Sequence, residues 1–258
     1  MAFFETLALE FGLLALLGAY VVMFLGGFIK GVVGFALPMI SVSGIGSLMS
    51  VEIAILALLL PSLMTNVWQA LRSGFLSARG SLAKYWRIFL ILPVVLAGSV
   101  QVFTLLSDAI LFLVLGVIII GFAIFELSGF RGELSQDSPK LEVASAMAGG
   151  VSGGLSGIWG PPVMVYLLSR NIPKREFVQT MGLVFLFGAI VLNLSHLGSG
   201  LLTASSAPFS ASLVIPALLG MWAGQTVQDR LDQEKFRRIT LFVLLLAGLN
   251  LLRRGVMA

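Results

Sequence analysis

The chain has 258 residues, of which 58% are hydrophobic and only 11% charged. A soluble domain carries about 25% charged residues, so the polar surface available here cannot cover a globule. At ~20 residues per apolar crossing, the length leaves room for roughly ten membrane segments with short loops and for no soluble catalytic domain.

Apolar segments fall at about 3–29, 32–49, 52–71, 88–106, 110–127, 143–169, 177–197, 209–228 and 239–252. Their Leu/Ile/Val/Phe-rich runs lack period-2 alternation, which predicts helices rather than a β-barrel. The N-terminus lacks the basic n-region and cleavage site of a signal peptide, so it is expected to stay as part of a membrane helix.

Loop charge predicts sidedness. The loop at 72–87 carries Arg72, Arg79, Lys84 and Arg87 with no acid, and 169–176 carries Arg170, Lys174 and Arg175. The loop at 229–238 carries Arg230, Lys235, Arg237 and Arg238. These three are read as cytoplasmic; 107–109 and the uncharged 198–208 are read as external. Arg253 and Arg254 then fall outside, a mild departure. The net charge of +4 comes from such juxtamembrane loops, so it points to a lipid bilayer and not to nucleic acid. The polar stretch at 128–141 divides the chain into a first transmembrane repeat, 1–127, and a second, 142–258.

The repeat rests on an ungapped shift of 123 residues. It lays Gly26, Gly27, Gly31, Gly34 and Pro38 over Gly149, Gly150, Gly154, Gly157 and Pro161, and Pro93 over Pro216. Paired segments run in opposite directions by the loop charges, which predicts two inverted-topology repeats of the kind common in secondary transporters. The segment 142–169 enters and leaves on the cytoplasmic side. Its 28 residues make two arms of about 20 Å, short of the ~30 Å hydrocarbon core. A re-entrant hairpin with its tip near 156–161 is expected, and by repeat logic a second tip at 33–38. Residues 3–29 and 32–49 fit either that hairpin or two full crossings.

At these glycine-rich stretches the chain resembles the sulfite exporter TauE/SafE family of anion permeases, over essentially its whole length. The first copy departs from the family in having Phe35 and Ala36 where more glycine is usual. The resemblance implies transport of sulfite, small organosulfonates or related anions by a multi-pass protein of the bacterial inner membrane. It implies a small anionic substrate, and it is compatible with a coupling ion (H+ or Na+) and with a homodimer.

Several residues could carry the function. Gly31, Gly34, Gly154 and Gly157 remove side chains where backbone approaches either ligand or another helix. Ser152 and Ser156 could donate hydroxyls to an oxyanion or bond their own backbone. Lys30 is the one basic residue inside the glycine-rich stretches: an anion contact if deep, a snorkelling interfacial lysine if α-helix 3–29 crosses fully. Thr65, Asn66 and Gln69 in one segment, and Gln179, Thr180 and Asn193 in its mate, fit a central polar site or interhelical hydrogen bonding. Gln101 and Gln225 carry the same ambiguity, and Trp159 could wall a cavity or simply pack.

Two other readings compete. Gly154, Ser156 and Gly157 with His196 resemble the Ser–His pair of rhomboid-type intramembrane proteases, and an anion channel would share the same composition. Against catalysis, the repeat already explains the two glycines. With no cysteine and one histidine, neither a metal nor another cofactor is expected. The reading is an all-α polytopic membrane protein that is not an enzyme. Its site is expected between two hairpin tips near the midplane, opened alternately by rocking of the repeats.

Overall fold

The computed structural model describes residues 2–101, 108–128, 138–156, 159–198 and 202–257. Among them there is helix, turn and bend, and no strand. The first apolar segment is two helices, α1 (Ala2–Phe11) and α2 (Leu13–Val33), separated by Gly12 at φ 84°, a conformation glycine adopts without a Cβ penalty. α2 therefore runs past the expected end and carries Lys30 in its last turn. α3 (Leu37–Leu48) starts later than expected, with Pro38 in the first turn, where its missing N–H costs nothing. α4 (Val51–Leu71) is capped by Ser50, whose hydroxyl accepts from Ile53 N–H at 3.2 Å.

The basic loop at 72–87 is largely helical: α5 (Phe75–Lys84) meets α6 (Trp86–Gln101) at a 73° bend. Then follow α7 (Asp108–Leu127), α8 (Pro139–Ser156), α9 (Gly160–Ser169), α10 (Lys174–Gly198), α11 (Ala207–Ser212), α12 (Val214–Arg230) and α13 (Gln233–Met257). Among the described residues, Leu13–Val33, Glu52–Leu71 and Ala207–Arg230 are long and apolar enough to cross a membrane, with a fourth span if the bent pair is one. α3 and α9 have 12 and 10 residues, about 18 and 15 Å, half a hydrocarbon core. Hairpin arms of equal length were expected; α8, at 18 residues or ~27 Å, is much longer than α9.

The chain forms two compact units, each drawing on both halves of the sequence. One comprises Met1–Arg72 and Phe185–Asp232, the other Ser73–Val184 and Gln233–Ala258. In the first, α2 and α3 form an antiparallel hairpin. A Cβ on Gly18 would meet Leu48, one on Gly44 would meet Val22, and one on Gly26 would meet Leu37, Ser41 and Ile40. α12 lies parallel to α2 at backbone contact: Cβ atoms on Gly27 and Gly31 would stand 2.2 and 2.3 Å from the carbonyl oxygens of Ala217 and Met221. Small residues permit this approach, and helices gain packing from it in lipid, where burial of apolar surface gives no drive. The core combines Met23, Leu37, Ile45, Leu56, Leu59, Phe209 and Leu213. Phe4 of α1 meets Phe209 edge-on at 5.8 Å. The outward face of α2 is apolar (Leu13, Leu14, Leu17, Val21), while its glycines and Lys30 point inward. That is the polarity a lipid-facing helix requires.

In the second unit, α8 and α9 form the matching hairpin. Cβ atoms on Gly149 and Gly153 would meet Val163 and Trp159. Shifting by 123 residues carries the contact Gly26–Ile40 onto Gly149–Val163, so the two hairpins share one register. α8 packs parallel to α6, with Gly150 against Val95 and Leu92 and Gly153 against Leu96. Under the same shift α8 is the mate of α2, and α6 of α12. α7 and α13, also mates, pack antiparallel: Gly116 meets Leu252 and Gly248, and Gly248 meets Ile119 and Ile120.

Candidate functional site

Lys30 is 2% exposed. Its ammonium donates to Thr65 Oγ1 at 2.9 Å and to Asn66 Oδ1. Among the described residues no ion pair involves it. The amine thus turns inward to neutral partners. Lys30 meets α4 six residues before Arg72, about 9 Å along the helix, nearer that end than the middle.

The receiving face of α4 is shaped by Pro61. Proline removes the N–H that would pair with the carbonyl four residues earlier and clashes with it. Two hydroxyls bond the backbone beside it: Ser210 Oγ accepts from Leu60 N–H at 3.1 Å, and Thr65 donates to the Pro61 carbonyl at 2.7 Å. With its proton committed to that carbonyl, the Thr65 oxygen presents a lone pair to Lys30. Asn66 Nδ2 donates to Ser62 Oγ at 3.4 Å, which leaves Oδ1 toward the lysine. Ser62, Thr65, Asn66 and Gln69 follow helical spacing, so they make one polar stripe on α4.

Beyond Lys30 the chain breaks. Gly34 has φ 91° and Ala36 φ 84°; the second is strained, because an L side chain pays about 1–2 kcal/mol in the left-handed region. Two glutamines hold the break. Gln69 Nε2 donates to Gly34 O at 2.8 Å, and Gln228 Nε2 donates to Val32 O at 3.0 Å. Gln228 accepts in turn from Arg72, which is 2.5 Å from Asp229. The ammonium in the last turn of α2 also sits at the negative end of that helix's dipole.

The first unit thus brings Lys30, Gly34 and Asn66 together. Gly31 lies beside them but is filled by packing, its face closed by Met221, Gly224 and Gln225. Asn193 of α10 is buried in the same unit, where it donates to Leu59 O at 3.1 Å and Ala189 O at 2.8 Å, and its Oδ1 has no partner. Gln228, Trp68 and Arg72 were not anticipated; their signal was the helical spacing of polar residues at 65–72 and 225–229.

The remaining candidates fall in the second unit. Ser152 is buried and donates to Gly149 O at 3.2 Å, one turn back in its own helix. Trp159 precedes α9 and donates to Val184 O at 3.4 Å. Gln179 Oε1 accepts from Ser77 and Ser81 at 2.8 and 3.3 Å, tying α10 to α5. Nearby, Glu176 accepts from Lys84 and Tyr85 at 2.5 and 2.6 Å. Gly154 and Ser156 end α8, and Gly157 lies outside the described residues. Ser156 and His196 belong to different units.

Neither a curated protein nor a solved structure matches the chain significantly. The model of one family, Sulfite exporter TauE/SafE, matches residues 19–251. That span takes in every helix from within α2 to within α13, both hairpins and the Lys30 cluster, and the chain belongs to the sulfite exporter TauE/SafE family of membrane permeases.

Proposed function

We propose that this protein is a secondary permease for a small anion, sulfite or an organosulfonate, in the bacterial inner membrane, and that Lys30 contacts the substrate. The observation that carries this reading is the buried ammonium held by neutral oxygens alone. A buried charge is costly unless paired, and an ammonium has three donors. Thr65 and Asn66 take two; an anion supplies both the third contact and the missing charge. The inverted-repeat architecture is part of the proposal. Its support is the shared hairpin register, the exchanged α2/α12 and α6/α8 pairings, and the antiparallel packing of the mates α7 and α13.

The test is concentration-dependent sulfite uptake in proteoliposomes. Lys30→Gln keeps length and polarity but deletes the charge. The half-saturation concentration should rise about ten- to a hundredfold, the range for one hydrogen bond to a charged group. Lys30→Arg should be only partly tolerated, since a planar fork needs different room from a compact ammonium. Unchanged half-saturation in Lys30→Gln removes the anion contact.

A further inference from the structure

Gln225, on α12, is 3% exposed, and its Nε2 is buried without a hydrogen-bond partner. Its Oε1 accepts from the Trp68 indole N–H at 3.0 Å. An indole nitrogen can only donate, so this contact settles which end of the carboxamide faces Trp68 and leaves the NH2 group turned away. A buried donor with nothing to donate to is rare in folded proteins and calls for an occupant.

The placement of Gln225 says which occupant. A Cβ on Gly31 would lie 2.9 Å from the Gln225 backbone nitrogen, so Gln225 stands level with the residue after Lys30. Trp68, which orients it, follows Thr65 by one turn on α4, and Thr65 holds the Lys30 ammonium. Lys30 and Gln225 therefore bring a cationic and a neutral donor to one level of the α2, α4 and α12 packing. No acid competes for them there. Lys30 is the sole buried charged side chain among the described residues of its unit, and Asp229, one turn past Gln225, is engaged by Arg72.

We propose that the Gln225 carboxamide, oriented by Trp68, is a second substrate-binding donor beside Lys30, and that together they take a singly charged oxyanion, hydrogensulfite or a monosulfonate. This rests on the permease reading above and narrows its substrate. A single ammonium neutralises one negative charge. A dianion would leave a net charge in the protein interior, where it is poorly solvated, whereas an amide NH2 adds a contact without adding charge.

The experiment is isothermal titration calorimetry on the purified full chain in detergent, with methanesulfonate and sulfate as singly and doubly charged probes. Wild type should bind methanesulfonate and bind sulfate about tenfold more weakly or worse. Gln225→Leu should weaken methanesulfonate about tenfold or more, a lost hydrogen bond to a charged group. Trp68→Phe, which frees the amide to rotate, should weaken it less. Gln225→Glu has nearly the same shape but turns an oxygen where the donor stood; it should bind no anion while remaining monodisperse, which covers the case in which Gln225→Leu fails to fold. If Gln225→Leu or Gln225→Glu binds methanesulfonate like wild type while Lys30→Gln does not, Gln225 is no ligand and the permease reading stands. If sulfate binds as tightly as methanesulfonate, the assignment to singly charged anions is wrong. If wild type binds neither probe nor sulfite, the permease reading falls as well.

Discussion

The α2–α3 and α8–α9 hairpins share a backbone register and differ in what they bury. Position by position, the 123-residue shift carries Lys30 onto Gly153, Thr65 onto Gly188 and Asn66 onto Ala189. Every member of the charged cluster thus stands opposite a residue too small to reach anything. Gln69 and Gln225 correspond to Leu192 and Val102. The comparison teaches that the two copies keep the glycines that set the path of the backbone and not the polar side chains. The buried lysine belongs to the first hairpin alone; the buried charge of the second is Glu142 near the start of α8, 3.2 Å from Arg87.

The largest expected effect tests the scaffold. At Gly27 a Cβ would stand 2.2 Å from the Ala217 carbonyl oxygen, and at its mate Gly150 it would meet Val95 Cβ at 2.6 Å and the Leu92 carbonyl at 2.9 Å. Backbone cannot yield as a side chain can. Gly27→Ala should cost about 3 kcal/mol or more by overpacking and Gly150→Ala about 1–2 kcal/mol, read as thermal unfolding of the detergent-solubilised protein. Equal losses would mean that the α2/α12 and α6/α8 contacts are equally tight.

The next effect tests the charge. Asn66→Ala copies the small residue found at position 189 and strips Lys30 of one acceptor. Leaving a buried ammonium short of a partner should cost about 1–3 kcal/mol in stability. Ala189→Gly, at the mate, changes no side-chain hydrogen bond, and its cost should be limited to helix propensity, about 1 kcal/mol. If Asn66→Ala costs no more than Ala189→Gly, the Lys30–Asn66 contact is not holding the helices.

Much of this architecture was legible in the sequence because glycine and proline leave marks that do not depend on tertiary context. The break after Val33 and the start of α9 at Gly160 fall where the repeated glycines and Pro38 and Pro161 predict them. The direction of Lys30 was not legible. A lysine in the last turn of a helix can reach outward to an interface as easily as inward. The inward choice was made by Thr65 and Asn66, on a helix 35 residues away in sequence. Nor was Gln225 separable from any other glutamine until Trp68 was seen to hold its oxygen. Gly12 was read through because a single glycine within an apolar run is usually tolerated. Its positive φ is what splits α1 from α2.

A smaller effect separates the breaks themselves. Ala36, before α3, has φ 84°, while its mate Trp159, before α9, has φ −105°. The first position is strained for any L residue and the second is not. Ala36→Gly should therefore stabilise the protein by about 1 kcal/mol, and Trp159→Gly should destabilise it through lost packing. A destabilised Ala36→Gly would show that the methyl group contributes more to packing, at 4% exposure, than its backbone conformation costs.

The smallest effect is predicted at Ser152, and it bears most directly on whether the second hairpin contacts the substrate. If the second hairpin also bound the anion, a hydroxyl on α8 would be a natural donor. Ser152 instead donates to the Gly149 carbonyl one turn back at 3.2 Å, a bond that competes with the helix ladder and slightly destabilises helices. Alanine at this position loses that bond, worth about 1 kcal/mol or less net, and gains about 0.5 kcal/mol in helix propensity. These nearly cancel, so Ser152→Ala should unfold within about 0.5 kcal/mol of wild type. Its half-saturation for sulfite uptake should also be unchanged, in contrast to Lys30→Gln. Both are read on the same proteoliposome preparation, so differences in insertion divide out. A tenfold loss of affinity in Ser152→Ala with unfolding unchanged would place a substrate contact on the second hairpin and end the asymmetry drawn between them.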